Sequence, residues 1–301
     1  MSLLVTGSIG IDTVITPFGH AESVLGGSAV YFSLIASQFT PVRLVGVVGE
    51  DFPPEFRRVL EARPIDLAGL EVRQGSRTFR WSGKFEGAMN EAETLNVHLN
   101  VLAEAPPPVP HAFLDSRIVF LANTHPGLQK ALIQQLHAPK LIVCDTMNLW
   151  IRTQRSALLE VFSLVDGVII NDAEARELTD RVNLVEAAQK LLTYGPKFAV
   201  VKKGENGALL VTEQGTTSLP AFPTTRVCDP TGAGDTFAGG ILGYLAQCGD
   251  AGPASLRRAV ARGMVAASFT IEDFSVGRLR TLTRREFDAR LEEYLRMLHI
   301  D

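Results

Sequence analysis

Four short apolar runs recur through the middle of this 301-residue chain: Ile118-Val119-Phe120-Leu121, Leu141-Ile142-Val143-Cys144, Gly167-Val168-Ile169-Ile170 and Phe198-Ala199-Val200-Val201. A strand apolar at every position has no polar face to offer water, so it belongs inside a parallel sheet covered on both sides. Helical patterns over residues 127–136, 155–164, 172–179 and 183–192 supply the cover. This alternation predicts an α/β fold, doubly wound, with a mostly parallel sheet and helices on both faces. Leu3 to Ser8 and Val42 to Val48 read as further buried strands. Helices are expected over 26–38 and over 51–62, where Phe52, Phe56, Val59 and Leu60 share a face.

Two segments break the rhythm. Residues 12–24 and 78–102 read as extended chain without intervening helices. In Phe79-Arg80-Trp81-Ser82-Gly83-Lys84-Phe85, alternation puts Phe79, Trp81 and Phe85 on one face and Arg80, Ser82 and Lys84 on the other. That is a half-buried antiparallel sheet. Ala105-Pro106-Pro107-Pro108-Val109-Pro110 then forms a stiff, extended linker back to the core.

The chemistry concentrates in Asp229-Pro230-Thr231-Gly232-Ala233-Gly234-Asp235-Thr236-Phe237-Ala238-Gly239-Gly240. Phe237, Ile241, Tyr244, Leu245 and Cys248 then recur at helical spacing, and Gly249 stops the pattern. The small residues therefore stand at a helix N-terminus, where backbone N–H groups lack partners and the dipole favours anions. A phosphate can approach that backbone closely, with the Asp235 carboxylate beside it. No Gly-Lys-Ser/Thr follows, so this is not a P-loop. The same dipole predicts a depressed pKa for Asp235.

Composition narrows the class. A net charge of −4 argues against a nucleic-acid partner. Cys144, Cys228 and Cys248 are odd in number and far apart, which fits reduced thiols and a cytoplasmic setting. No signal peptide is read at the N-terminus, and no apolar stretch reaches the length of a membrane span. The six histidines are scattered, without a metal or triad spacing.

Taken with its companions, the 229–237 run resembles the C-terminal signature of the ribokinase (PfkB) family of carbohydrate and nucleoside kinases. Gly26-Gly27-Ser28-Ala29 resembles the family's di-glycine substrate site, with Gly10-Ile11-Asp12 before it and Val45 to Asp51 after it. Asn171-Asp172-Ala173-Glu174 matches its Asn-x-x-Glu motif. Val201-Lys202-Lys203-Gly204-Glu205-Asn206-Gly207 is similar to its nucleotide-side strand and turn. The resemblance covers nearly the whole chain and implies one ribokinase-like domain over 1–301. Lid strands would be inserted at about 12–25 and 76–103, covering the acceptor and in some members pairing two subunits as a homodimer.

The implied reaction is transfer of the γ-phosphoryl group of ATP to a primary hydroxyl of a nucleoside or sugar. Asp235 would be the base, and the amides of Gly232, Ala233, Gly234 and Asp235 the anion hole. Asp12, Gly26, Gly27, Ser28, Tyr31, Trp81 and Asn123 are expected at the acceptor. Asn171, Lys202, Gly204, Thr231, Gly232 and Gly234 are expected at the nucleotide. Glu174 would hold Mg²⁺ through water, although Asn171 and Glu174 also have the spacing of a helix capping box. The sequence leaves open a monovalent cation.

One departure matters: Tyr31 stands where many sugar kinases of the family carry Asn. With the aromatic lid face, it tilts the expectation towards a nucleoside over a sugar or inositol. Two other classes compete. A ligand-sensing protein on the same fold would not need Asp235 and Glu174 together. A dinucleotide oxidoreductase is suggested only by Gly7-Ser8-Ile9-Gly10, which lacks the required glycine spacing.

Overall fold

Burial fixes the central sheet. The computed structural model describes residues 1–299. Its strands, in chain order, are β1 (Leu3–Thr6), β2 (Gly10–Thr16), β3 (Gly19–Gly26), β4 (Val42–Gly49), β5 (Ile65–Arg73), β6 (Phe79–Phe85), β7 (Ala92–His98), β8 (Ile118–Leu121), β9 (Leu141–Cys144), β10 (Gly167–Asn171), β11 (Phe198–Lys202), β12 (Ala208–Thr212) and β13 (Gly215–Leu219). The helices are α1 (Ser28–Ala36), α2 (Pro54–Glu61), α3 (Pro126–Ile133), α4 (Asn148–Thr153), α5 (Arg155–Phe162), α6 (Asp172–Thr179), α7 (Leu184–Leu192), α8 (Ala233–Cys248), α9 (Pro253–Thr270), α10 (Gly277–Thr281) and α11 (Arg284–Leu298).

Nine strands form one sheet in the order β13-β12-β11-β10-β9-β8-β1-β4-β5. All neighbours from β11 to β5 run parallel, while β12 and β13 close one edge antiparallel. Alternate residues of each strand feed two cores. Leu3, Val5, Ile118 and Phe120 face α1, α8, α9 and α11, whereas Leu4, Val119 and Leu121 face α3, α5, α6 and α7. From β1 the chain builds outwards to β4 and β5, then returns to β8 and builds the other way. That reversal opens a crevice at the carboxyl ends of β1 and β8, the usual ligand position in such sheets.

The expected strands and helices are present, with helices generally shorter than read: 28–36 for 26–38, and 54–61 for 51–62. One reading was too narrow. Helix α8 is apolar on more than one face, because it is wedged between α1 and α9. A Cβ on Gly239 would lie 2.3 Å from Ile35 Cγ2 and 2.6 Å from the Phe32 carbonyl, and one on Gly240 would lie 2.9 Å from the Arg262 carbonyl. Its glycines are there for close helix packing. Gly249 ends α8 in the left-handed conformation, as read.

The two irregular segments form a second, four-stranded sheet in the order β3-β2-β6-β7. β2 and β6 are parallel and the outer pairs antiparallel. Its own small core is Val14, Phe85 and Met89, with Trp81, Val227 and Phe274 packed at the margin. Val227 and Phe274 belong to the body, so this sheet is seated on the segments flanking the crevice.

Gly239→Ala tests the α8 packing. Alanine is the better helix former by about 1 kcal/mol, but overpacking against a backbone carbonyl costs about 1–3 kcal/mol. Urea denaturation should therefore show a net loss of stability. Equal or greater stability would mean that α1 and α8 can move apart freely.

Candidate active site

The acceptor side is built from backbone that leaves room for a carboxylate. Asp12 on β2 is buried, and a Cβ on Gly26 of the paired strand would fall 1.8 Å from its Oδ2. Gly26 therefore lets the Asp12 carboxylate lie flat against β3. Gly27 has φ +104°, and a Cβ there would meet the Ser8 carbonyl at 2.5 Å, so both glycines are required by approach or conformation. Asp12 Oδ1 is buried with no hydrogen-bond partner. An orphaned acceptor at the mouth of a crevice is what a hydroxyl-bearing ligand would satisfy. Burial, reinforced by the charges of Asp229 and Asp235, raises its pKa to about 7.

The anion loop is held from below. Asp229 is fully buried; its Oδ1 accepts from Thr231 N–H at 2.9 Å and its Oδ2 from Ser275 N–H at 3.0 Å. Ser275 Oγ in turn donates to the Leu25 carbonyl at the end of β3. Gly232 is left-handed, φ +76°, and a Cβ on it would lie 2.3 Å from the Tyr31 ring. Thr236 is tied to Thr270 of α9 at 2.8 Å.

Two expectations change here. The Ala233 N–H is spent on the Pro230 carbonyl at 3.1 Å, so the expected anion hole is reduced to the amides of Gly232, Gly234 and Asp235. The pKa of Asp235 is not depressed. Burial, then the Asp145 charge, push it up to about 7 against the pull of Lys202. Part of its surface still meets solvent, but the surrounding atoms deny its charge enough water for the helix dipole to decide.

Lys202 at the end of β11 faces this loop. Its Nζ would sit 3.2 Å from a Cβ on Gly234, and it pairs with Asp145 Oδ2 at 3.1 Å. Burial opposes its charge, but Asp145, Glu174 and Asp235 together outweigh that and raise its pKa. Asp145 directly follows β9. Its importance comes from the juxtaposition of β9 and β11 ends with α8, which no local pattern encodes.

Asn171 and Glu174 form the full capping box at the head of α6: Asn171 Oδ1 accepts from Glu174 N–H, and Glu174 Oε2 accepts from Asn171 N–H. Glu174 is buried nonetheless, with its pKa raised to about 7 by burial, which outweighs the pull of Lys202. The cap uses Oε2, leaving Oε1 as a hard oxygen donor near Lys202. Among the described residues no cluster of three or more His, Cys, Asp or Glu side chains forms a direct metal cage. The free Oε1 is a donor of the hard type that Mg²⁺ or its bound waters take.

The remaining expected site residues sit in different surroundings. Tyr31 is buried beneath Gly232 and does not line open space. Burial, with the nearby Asp12, Asp229 and Asp235 charges, holds its hydroxyl well above its ordinary pKa. Ser28 exchanges hydrogen bonds with Ser8, pinning the start of α1 to the end of β1. Asn123 accepts from the Trp150 indole at 3.0 Å. Trp81 lies over Gly83 and donates to Thr94 at 3.2 Å within its own sheet. Thr231 sits in the loop with its Oγ1 buried and unpartnered, and Gly204 lies in the turn after β11.

A doubly wound body, a small sheet seated over it, and a carboxylate at a glycine-rich helix start define a phosphotransferase with an alcohol acceptor. The chain belongs to the pfkB family of carbohydrate kinases, whose family model matches residues 13–281. It is an ATP-dependent kinase acting on a hydroxyl of a small sugar or nucleoside. A cytidine kinase of Thermococcus kodakarensis is 30% identical over 250 residues, 81% of this chain and 88% of that enzyme. An inositol 3-kinase of Arabidopsis thaliana is 24% identical over 81% of this chain and 68% of its own. The nucleoside kinase of Methanocaldococcus jannaschii superposes with a TM-score of 0.77 over 97% of this chain and 99% of that one, at 19% identity. No helix among the described residues is long and apolar enough to cross a membrane.

The raised pKa of Asp12 makes a stability prediction. Its folded value, about 7, lies above the ordinary 3.8, so its contribution is intact below pH 4 and is lost as pH rises towards 7 and beyond. Asp12→Asn should therefore raise Tm by several degrees at pH 8, with the gain vanishing near pH 4, while acceptor binding is lost. A Tm gain independent of pH would show that the Asp12 charge is not the cause.

Proposed function

We propose that this kinase phosphorylates the primary hydroxyl of a nucleoside, with Asp235 as the base. The observation that carries the chemistry is Asp235 itself, a carboxylate near pKa 7 at the unsatisfied start of α8 and close enough to Asp12 for their charges to interact. A base with a pKa near the working pH combines the right protonation state with useful proton affinity. In this reading Asp12 holds acceptor hydroxyls and Asp235 orients the reacting one, taking its proton as the hydroxyl oxygen bonds to the γ-phosphorus and the bond to the bridging oxygen breaks, releasing ADP. The amides of Gly232, Gly234 and Asp235, with the Lys202 ammonium beyond them, meet the charge of the transferring group.

Magnesium, when bound, neutralises phosphate charge. Glu174 would organise its water shell, with Asn171 fixing the Glu174 carboxylate through the cap, and Thr231 and Gly204 would lie along the nucleotide. The acceptor class rests on the cytidine kinase likeness, which spans most of both chains. It does not draw on Tyr31, which is buried under the loop, or on Trp81, which bonds to Thr94 in its own sheet. The inositol kinase likeness makes a polyol the second acceptor to try.

A screen of purified protein with ATP against cytidine, other nucleosides, pentoses and inositols tests the acceptor. Turnover of inositols alone would move the acceptor class without touching the base. Asp235→Asn should lower kcat by about 10²–10⁴ with nucleotide affinity within a few-fold. In the unsubstituted enzyme kcat/KM should rise through an apparent pKa near 7, a value belonging to the coupled acids as a set. Full activity in the Asn variant would remove Asp235 from the chemistry.

Glu174→Gln separates its two roles. If Glu174 organises the magnesium shell, the Mg²⁺ concentration for half-maximal activity should rise about 10–100-fold. A lower Tm with unchanged Mg²⁺ dependence would leave Glu174 as a helix cap only.

A further inference from the structure

The tip between β6 and β7 is largely exposed, but Met89 in it is buried. Gly87 and Met89 both have positive φ, +57° and +56°, and Met89 N–H closes a turn onto the Glu86 carbonyl at 3.0 Å. That backbone suits glycine but costs a methionine about 1–2 kcal/mol. Burial offsets the cost: the Met89 side chain is buried with Val14 and Phe85, against Val227 and Phe274 of the body. Anchoring Met89 inwards places the next residue, Asn90, over the turn Gly204–Asn206 that follows β11.

The contact there is reciprocal. Asn90 Nδ2 donates to Glu205 Oε1 at 3.4 Å, and Glu205 N–H donates to Asn90 Oδ1 at 3.4 Å. Gly204 has φ +54°, and a Cβ on it would lie 2.3 Å from Asn90 Oδ1. A side chain at 204 would thus meet both an unfavourable backbone and the hairpin tip. The two partners belong to opposite halves of the site. Asn90 hangs from the sheet that carries Asp12, since β2 pairs directly with β6. Glu205 stands three residues after Lys202, whose ammonium faces the anion loop.

We propose that Asn90 is a positioning residue that latches the closed lid to the nucleotide-side turn, so that acceptor enclosure and nucleotide binding strengthen each other. This rests on the kinase reading above. Both hydrogen bonds are long and lie at the solvent edge, so the latch is weak. Weakness suits an element that must open in every cycle. When shut, it joins the two substrate sites and keeps water from the phosphoryl group.

Asn90→Asp keeps an acceptor for the Glu205 amide but sets a carboxylate against Glu205 Oε1. Adding Glu205→Gln returns a donor. Asn90→Asp should reduce the mutual enhancement, read as the ratio of the ATP KM at low acceptor to that at saturating acceptor, by about 3–10-fold. ATP hydrolysis without acceptor should rise, and Glu205→Gln should restore both quantities. A non-hydrolysable ATP analogue with Mg²⁺ should slow amide exchange over residues 86–91 of the unsubstituted protein. Unchanged enhancement and leakage, or changes that Glu205→Gln leaves in place, would overturn the latch, and a role confined to stability would move Tm alone. Failure of the unsubstituted protein to bind the analogue by calorimetry would defeat the kinase reading. Binding without slowed exchange would defeat only the latch.

Discussion

The ion pair between Lys202 and Asp145 is the contact around which the site is arranged. It joins the carboxyl ends of β9 and β11, and the same ammonium faces Gly234 at the head of α8 and feels the charges of Glu174 and Asp235. Three carboxylates in one crevice would repel one another without a cation among them. A buried pair of this sort contributes little net stability, yet removing one member strands the other and costs several kcal/mol. Its value here is placement: it fixes where positive charge stands relative to the glycine-rich loop at the head of α8.

Around that charge the loop is held rigid by unrelated devices acting together. The Tyr31 ring fills the space under Gly232, Asp229 clamps Thr231 and Ser275, and Thr236 is bonded to Thr270. Each device fixes backbone, so the amides of Gly232, Gly234 and Asp235 are oriented before any ligand arrives. Donors that need no reorganisation during reaction are the most effective electrostatic stabilisers. Rigidity in the loop contrasts with the light hold on the tip between β6 and β7, where Met89 is buried and two long hydrogen bonds reach the turn after β11.

Much of this was legible in the sequence, for identifiable reasons. Strands apolar throughout, such as Ile118 to Leu121, announce a parallel sheet by composition alone, and the Gly-Ala-Gly run before Phe237 announces a helix start by local stereochemistry. The Asn171 and Glu174 capping box follows from spacing. What stayed hidden depends on neighbours distant in sequence. Asp235 appeared to be governed by the helix dipole, whereas the Asp145 and Lys202 side chains and the loss of water set its pKa. Tyr31 drew notice in the sequence because it replaces the Asn of many sugar kinases, but nothing local showed that its ring fills the space under Gly232. The edge strands β5 and β13 mix polar with apolar residues and, like β12 beside β13, were not delimited. Helix α8 hid a third kind of information, since glycines that look like flexible residues are in fact contact surfaces for α1 and α9.

Ser275 bonds the end of β3 to Asp229 of the anion loop, and this has a consequence for synthesis. Strands β1, β4 and β8, which form the middle of the sheet, all precede residue 122 and can pair early. Helix α1, apolar along its length, has no α8 to cover it until much later in translation. During that interval a growing chain carries the α8-facing side of α1, Ile35 included, uncovered. Ribosome-bound fragments ending before α8 should therefore be avid clients for chaperones, and the site becomes complete only once the chain has passed residue 275.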